Sequence, residues 1–443
     1  MGITIVQKSD LAQPKQGPKR ALVLAGGAIS GGAFKVGGLM ALNRYLSNFN
    51  VMDFDIYMGI SAGAFLAAPL AAGVSPEELY QAIHGTSKRL TKFTPLDFYH
   101  PNVSEFISRP MQLAKDMVTF GPRFTLRFLG TVPKVRKELE SRARAFLDEP
   151  TLTRAEAVLE PLMTELAKRP MMPEHGYLPS GIFDNSRIEA YVRHNLERNG
   201  FPNHFRQLKL LTGKSLYIGA TELNTAQGVV FGHDEETSVS ISEAVQASTA
   251  LPGFFKPARI GPPGRERDYL DAAVRKTANI STAVRHGADL VICYNPFRPF
   301  LNYRHRLAAK NRRSIADLGL WAVLNQTFRT LLHTRLRLGI QKLRMDPNFK
   351  GDVLLIEPTE TDARFFSVNP IAFWKRATAA QHGFESVSES LTKHHHTLKK
   401  IFNAYGIAVN LDGFSGGIDA KRPHSKRGDR ADEPHLRVAA GNR

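Results

Sequence analysis

Among 443 residues there is one cysteine, Cys293, and there are two tryptophans. A lone thiol forms no disulfide within its own chain, so packing must hold the fold, and a reducing compartment is expected. Within Asp289-Leu-Val-Ile-Cys-Tyr-Asn295 the cysteine reads as a buried strand residue. No uninterrupted apolar run approaches the ~18 residues of a membrane-spanning helix. The first ten residues lack the basic stretch, continuous apolar core and small-residue cleavage site of a signal peptide. These absences lead to the expectation of a cytoplasmic protein, soluble or peripheral on the inner face of the membrane. Acidic residues are outnumbered, 41 against 59 Lys and Arg, for a net charge of +18. That balance favours an anionic partner surface, phospholipid or nucleic acid. No recognition motif for nucleic acid accompanies the charge, so no specific nucleic-acid partner is expected. No metal is expected either, because His394, His395 and His396 on a helix would point ~100° apart and cannot all face one ion.

What is present centres on residues 53–73. An extended apolar run, Phe54 to Met58, stops at Gly59, and an Ala-rich helical segment follows Ser61 and ends at Gly73. Gly59 and Gly63 flank the serine in Gly-x-Ser-x-Gly. A tight turn there strains the backbone and lifts the hydroxyl from the sheet, while the glycines let strand and helix approach. The Ala62 N–H, at the helix N-terminus, is placed to stabilise an oxyanion. A second strand–loop–helix unit precedes it: Arg20 to Ala25, then Gly26-Gly27-Ala28-Ile29-Ser30-Gly31-Gly32, then a helical pattern from Ala33 to Leu46. Such a loop turns successive backbone N–H groups towards an anion. The dinucleotide fingerprint Gly-x-Gly-x-x-Gly is absent from this register, so no nucleotide cofactor is expected. If the two strands are neighbours, both turns meet at one edge of a parallel sheet, where ligands bind.

Around this centre, residues 1–19 read as a flexible leader and 20–405 as one domain. Residues 75–200 read as a helical, proline-broken insertion or cap. Its apolar residues Met111, Leu113, Met117, Val118, Phe120, Phe124, Leu126, Phe128 and Leu129 suit either an acyl-chain groove or ordinary helix packing. Ser215–Thr221 and Val229–Phe231 predict a hairpin, and Ser242–Leu251 a helix stopped by Pro252-Gly253. Tyr269-Leu-Asp271-Ala-Ala follows, and Asp352–Glu357 is a further core strand. Residues 300–346 are a basic helical segment in which Leu324, Phe328, Leu332, Leu336 and Ile340 recur every four residues as an apolar stripe. Arg329, Arg337 and Arg344 are expected to bind an anionic membrane. Residues 412–443 are polar and read as a disordered basic tail.

With its Gly-rich loop, its Gly-x-Ser-x-Gly elbow and an Asp-small-small turn about two hundred residues later, the sequence resembles bacterial patatin-like phospholipases over most of 20–405. The segments Ala220-Thr-Glu-Leu-Asn-Thr and Ala247-Ser-Thr-Ala-Leu-Pro-Gly-Phe-Phe are similar too. The resemblance implies an α/β fold, a three-layer α/β/α sandwich with a mostly parallel central sheet and a helical insertion or cap. It implies that Ser61 is the nucleophile and Asp271 its only catalytic partner, and that Gly26, Gly27, Ala28 and Gly31 form an oxyanion hole. The activity implied is that of a serine acyl hydrolase cleaving phospholipid or other lipid acyl esters through an acyl-enzyme, with neither metal nor cofactor. Three residues depart from the family pattern. Ala28 replaces the third loop glycine, Ser30 stands where Arg or Lys is usual, and Ala272 replaces the glycine after the aspartate. A positive φ at position 28 or 272 would strain alanine by about a kcal/mol or more. Two other readings remain open: a catalytically silent lipid- or membrane-binding scaffold, and an α/β-hydrolase esterase with a Ser-Asp-His triad.

Overall fold

The computed structural model describes residues 2–148, 157–158, 161, 178–303, 305, 313–414 and 417–419, without the side chains of 110, 112–129 and 146. The chain divides into two units, one formed by Met1–His100 with Asp184–Arg443 and the other by Pro101–Phe183.

The larger unit is built on a nine-stranded sheet. Its strands are β1 (Ile3–Gln7), β2 (Arg20–Leu24), β3 (Ile56–Gly59), β4 (Ser215–Glu222), β5 (Gly228–Gly232), β6 (Ala258–Ile260), β7 (Arg267–Asp271), β8 (Leu290–Tyr294) and β9 (Asp352–Ile356). The order is β1-β9-β8-β2-β3-β4-β7-β6, with β5 paired to β4. The five strands β9, β8, β2, β3 and β4 run parallel. They are short, mainly apolar runs, almost wholly buried, as central parallel strands require. Antiparallel strands finish the sheet at either side.

Alternation along these strands divides the core. Ala21, Val23, Ile56, Met58, Val291, Cys293, Val353 and Leu355 pack against two helices on one face, α4 (Ile280–Arg285) and α5 (Leu320–Met345). The other face carries α1 (Ala28–Tyr45), α2 (Ala62–Ala71), α3 (Ile241–Thr249) and α6 (Arg376–Lys393). Two glycines let α1 and α6 pass at backbone contact, since a Cβ at Gly37 would overlap the Ala380 carbonyl and one at Gly383 the Phe34 carbonyl. Cys293 is fully buried in the middle of β8. Among the described residues no helix is long and apolar enough to cross a membrane.

The smaller unit contains a helix, Val103–Asp148, and a three-residue strand, Gly181–Phe183. Asn102 ties its two ends, donating through its backbone to the Ile182 carbonyl at 3.1 Å and through Nδ2 to the Gly181 carbonyl at 3.0 Å. The expected insertion at 75–200 is thus narrower as a compact unit. Of the nine apolar residues suited to an acyl groove, only the Met111 side chain falls among those described, and it is exposed.

Two further expectations are corrected. Residues 1–19 are not a flexible leader throughout, because Ile3–Gln7 form edge strand β1, in register with β9 from Ile3 opposite Ile356 to Gln7 opposite Asp352. The four-residue stripe on α5 is buried at Leu332, Leu336 and Ile340 but not throughout: Phe328 is 61% exposed, and Arg329 and Leu343 extend the buried line instead. Of the expected tail, residues 412–414 form a short 3-10 turn; residues 415–416 and 420–443 lie outside the described residues.

Candidate active site

Strand β3 ends at Gly59 and α2 begins at Ala62, which leaves Ser61 at the helix N-cap with φ 55° and ψ −129°. This backbone region is strained for a residue with a side chain, by about 1–3 kcal/mol. The flanking glycines hold it there. A Cβ at Gly59 would collide with Ala64, and one at Gly63 would overlap the Leu24 carbonyl of the neighbouring strand. The Ser61 N–H donates to Ser248 Oγ at 2.8 Å.

Asp271 is the last residue of β7, and β4 acts as the ruler that brings it to the serine. Gly59 lies opposite Ile218, and Asp271 lies opposite Ala220, two residues further along the same strand. Helix α3 ties both sides together: Ser248 binds the Ser61 amide, and the Ala250 carbonyl just past the helix accepts the Asp271 N–H at 2.9 Å. The Ser61 hydroxyl faces the Asp271 carboxylate closely enough to draw its pKa down, and Asp271 Oδ1 accepts the Ala273 N–H at 2.8 Å. Asp271 is 1% exposed and Ser61 8%. Burial pushes the Asp271 carboxyl up to about 6, opposed by the Ser61 hydroxyl, the Ala273 amide and the positive charge of Lys35. Among the described residues, no histidine partners Ser61 or Asp271.

The glycine loop closes on the serine from β2. A Cβ at Gly26 would lie 3.2 Å from Ser61 Cβ and 3.1 Å from the Phe297 ring. Gly27 has φ 147°, and a Cβ there would meet Pro296 at 2.8 Å, so only glycine fits. Ala28 is at φ 50°, so the strain foreseen for this position is present. Ala272 starts a short 3-10 turn and is not among the non-glycine residues with positive φ, so that substitution is conformationally neutral. Among the described residues, the N–H groups of Gly26, Gly27, Ala28 and Ala62 have no acceptor. Gly31 is a correction: its N–H donates to the Gly27 carbonyl at 2.9 Å, so it closes the first helical turn instead of facing the serine. The Ser30 N–H is likewise engaged, with the Pro370 carbonyl at 3.0 Å.

Three cations bear on this geometry: Lys35 and Arg335, to which sequence reasoning assigns no role here, and Arg329, which is buried and so corrects its expected place on a membrane-binding face. Lys35 is completely buried, and its ammonium donates to the Gly26 carbonyl at 2.8 Å. Burial pushes its pKa down to about 7, against the pull of Asp271. One signal was available: within Ala33-Phe-Lys-Val-Gly-Gly-Leu-Met-Ala-Leu42 it is the single charged residue. Arg329, 5% exposed, donates from one guanidinium nitrogen to the Pro296 and Arg298 carbonyls, both at 3.1 Å, and so braces the segment behind the loop glycines. Arg335 donates to the Ala273 carbonyl at 3.0 Å and to that of Val274, bracing the turn whose amide holds Asp271. Arg329 is therefore an internal strut of the site, and Arg335 braces it from the surface.

The sequence profile of the family described as "Patatin-like phospholipase" matches residues 22–284. No curated protein sequence matches the chain. Among solved structures, VipD from Legionella pneumophila is 16% identical, with TM-score 0.36 and coverage of 89% of this chain and 70% of its own. Full-length ExoU of Pseudomonas aeruginosa, in complex with SpcU, is 16% identical, with TM-score 0.26 and coverage of 91% and 64%. Human GIVD cytosolic phospholipase A2, in complex with methyl gamma-linolenyl fluorophosphonate, is 13% identical, with TM-score 0.29 and coverage of 87% and 60%. The chain thus spans less than two thirds of the latter two.

Proposed function

From the premise that this chain belongs to the patatin-like phospholipase family, we propose that it is a serine acyl hydrolase acting on phospholipid or other lipid acyl esters through Ser61 and Asp271. The observation that carries the reading is a strained, elbow-borne hydroxyl set by the strand register beside a buried carboxylate whose pKa is raised to about 6. An ordinary aspartate, near ~4, is a poor acceptor for a hydroxyl proton, and the raised value brings it towards neutrality. Ser61 Oγ attacks the ester carbonyl carbon as its proton passes to Asp271, and the carbonyl becomes an oxyanion held by the Gly27, Ala28 and Ala62 amides. The oxyanion collapses and expels the alcohol, which takes the proton from Asp271 and leaves an acyl-serine. Water then gives a proton to Asp271 and attacks the acyl carbon. Collapse returns that proton to Ser61 and frees the fatty acid.

The test is covalent labelling with a fluorophosphonate together with turnover of a nitrophenyl acyl ester. Wild type should be labelled and Ser61→Ala should not, while Asp271→Asn should lose turnover by a thousandfold or more. A histidine-to-alanine variant with an equal loss and an unchanged melting temperature would favour the triad reading instead. An unlabelled, inactive wild type would leave the scaffold reading.

A lipid surface is the partner this reading calls for. Both tryptophans are exposed, Trp321 by 81% and Trp374 by 72%, and α5 presents Leu320, Phe328, Leu331 and Leu338 beside Arg337 and Arg344. Aromatic and aliphatic side chains beside cations suit an anionic membrane interface. Tryptophan emission should shift to the blue on anionic vesicles and return with salt. An unchanged spectrum with anionic vesicles in excess rules this surface out.

A further inference from the structure

Lys35 is a buried cation that the acyl-transfer steps do not use. It lies in the first turns of α1, and its ammonium has one hydrogen-bond acceptor among the described residues, the Gly26 carbonyl at 2.8 Å. Burying an ammonium without a carboxylate in hydrogen-bond contact is costly, and replacement by an apolar side chain of similar length is usually neutral or favourable. The site therefore retains a charge that packing does not require. Two groups lie within its reach. One is the glycine whose peptide opens the oxyanion loop, and the other is Asp271, the charged residue whose field acts on Lys35.

We infer that Lys35 is a positioning residue of the active site: its ammonium balances the charge of the buried Asp271 and, by gripping the Gly26 carbonyl, orients the following amides towards the reacting carbonyl. This rests on the Ser61–Asp271 reading. A carbonyl that accepts from Lys35 turns the Gly26–Gly27 peptide so that its N–H points the opposite way, and the amide of Gly27 is one of those without an acceptor. The cation also has a direction of effect. It favours ionised Asp271, so its removal raises the pH at which Asp271 becomes a competent proton acceptor. Other charged groups on neighbouring elements are engaged elsewhere. On the helix Pro76–His84, Glu77 accepts from Asn43; on α6, Arg376 donates to the Ile83 and Phe373 carbonyls, His382 pairs with Asp362, and Glu385 binds Arg364 and Gln381. Around β7, Arg267 pairs with Glu222 and Arg259 with Asp268, and on α3 Glu243 caps Ser240. Tyr294 on β8 donates to the Phe34 carbonyl. Asp271 is the anion left facing Lys35.

The experiment is a cycle of Lys35→Met, Asp271→Asn and the double variant in the full chain. It is read first as melting temperature at pH 7 and then, for wild type, Lys35→Met and Lys35→Arg, as kcat/KM against pH with a nitrophenyl ester. Lys35→Met should lower the melting temperature more when Asp271 is present than when Asn replaces it, because only the carboxylate is left uncompensated. Its acid limb should move up by about one pH unit, with kcat falling more than KM changes, and Lys35→Arg should restore the limb. If Lys35→Met alone does not fold, recovery of the fold in the double variant supports the pairing, and failure to recover overturns it. Additive melting temperatures, or an unmoved acid limb in a folded variant, also overturn it. An unlabelled and inactive wild type would sink the hydrolase reading alone, since the melting-temperature cycle needs no activity.

Discussion

Two adjacent βα turns build this site, and each forces one non-glycine residue into positive φ: Ser61 at 55° after β3 and Ala28 at 50° after β2. They are held by different means. The Ser61 turn is held by the glycines of its own five-residue motif, Gly59 against the Ala64 backbone one turn on and Gly63 against the Leu24 carbonyl of the adjacent strand. The Ala28 turn is held from a distance. Pro296 and Phe297 press on Gly27 and Gly26, and Arg329, over thirty residues later, grips the carbonyls of that segment. Local strain at a functional position can thus be stored by the motif itself or by tertiary contacts, and only the first kind shows in the sequence.

The comparison can be broken most severely at the elbow. Gly63→Ala puts a methyl into the Leu24 carbonyl of the central sheet, and a collision with backbone cannot be relieved by a rotamer change. The expected cost exceeds about 4 kcal/mol, seen as insoluble protein or a lost thermal transition, whereas Gly31→Ala, whose Cβ would meet only Pro296 at 3.2 Å, should fold. Comparable melting temperatures for the two would remove the distinction.

The proposed proton acceptor offers the next largest effect. With Asp271 at about 6, turnover should fall roughly tenfold per pH unit below that value, about a hundredfold by pH 4. Stability moves the other way for this group. Its folded pKa lies above the unfolded value, so protonation on going from above pH 6 towards 4 favours the native state. A rate lost in parallel with the folded signal would mean that acid unfolding, not Asp271, sets the limb.

At the remote turn, Arg329→Met removes the donor from the Pro296 and Arg298 carbonyls. We expect a loss of about 2–3 kcal/mol in stability and a fall in kcat of about tenfold with little change in KM, from an oxyanion loop less firmly held. Denaturant melts and steady-state kinetics check it; a kcat within twofold of wild type would show that the brace is dispensable. The smallest effect is expected from Ala28→Gly. Relief of the αL conformation gives about 1–2 kcal/mol, offset by about 0.4–1 kcal/mol of unfolded-chain entropy. The melting temperature should rise by a few degrees at most, and a fall would mean that the methyl packs usefully.

Much of the site was legible because it rests on local rules. The elbow, the glycine loop and the central strands follow from glycine spacing, helix propensity and apolar runs whose meaning does not depend on distant residues. The engaged amide of Gly31 was not legible, because a Gly-rich stretch does not say where its first helical turn closes. The α5 stripe was right at Leu332, Leu336 and Ile340 but not at Phe328, where Arg329 turns inward instead, a residue taken for part of a membrane face.

By itself the sequence determined that two strand–turn–helix units exist, which serine stands at the sharper turn, and that an Asp-small-small turn follows near the end of the stretch that matches the family. Those features are written in backbone sterics over five to seven residues. Only the tertiary structure decided that Ser61 and Asp271 meet, because that contact depends on the register of β3 and β7 against β4, Gly59 opposite Ile218 and Asp271 opposite Ala220. It alone decided the character of Lys35, Arg329 and Arg335 as well. A basic residue on a helix has the same local propensity whether its charge meets water or a buried carbonyl, and burial is a property of what packs around it.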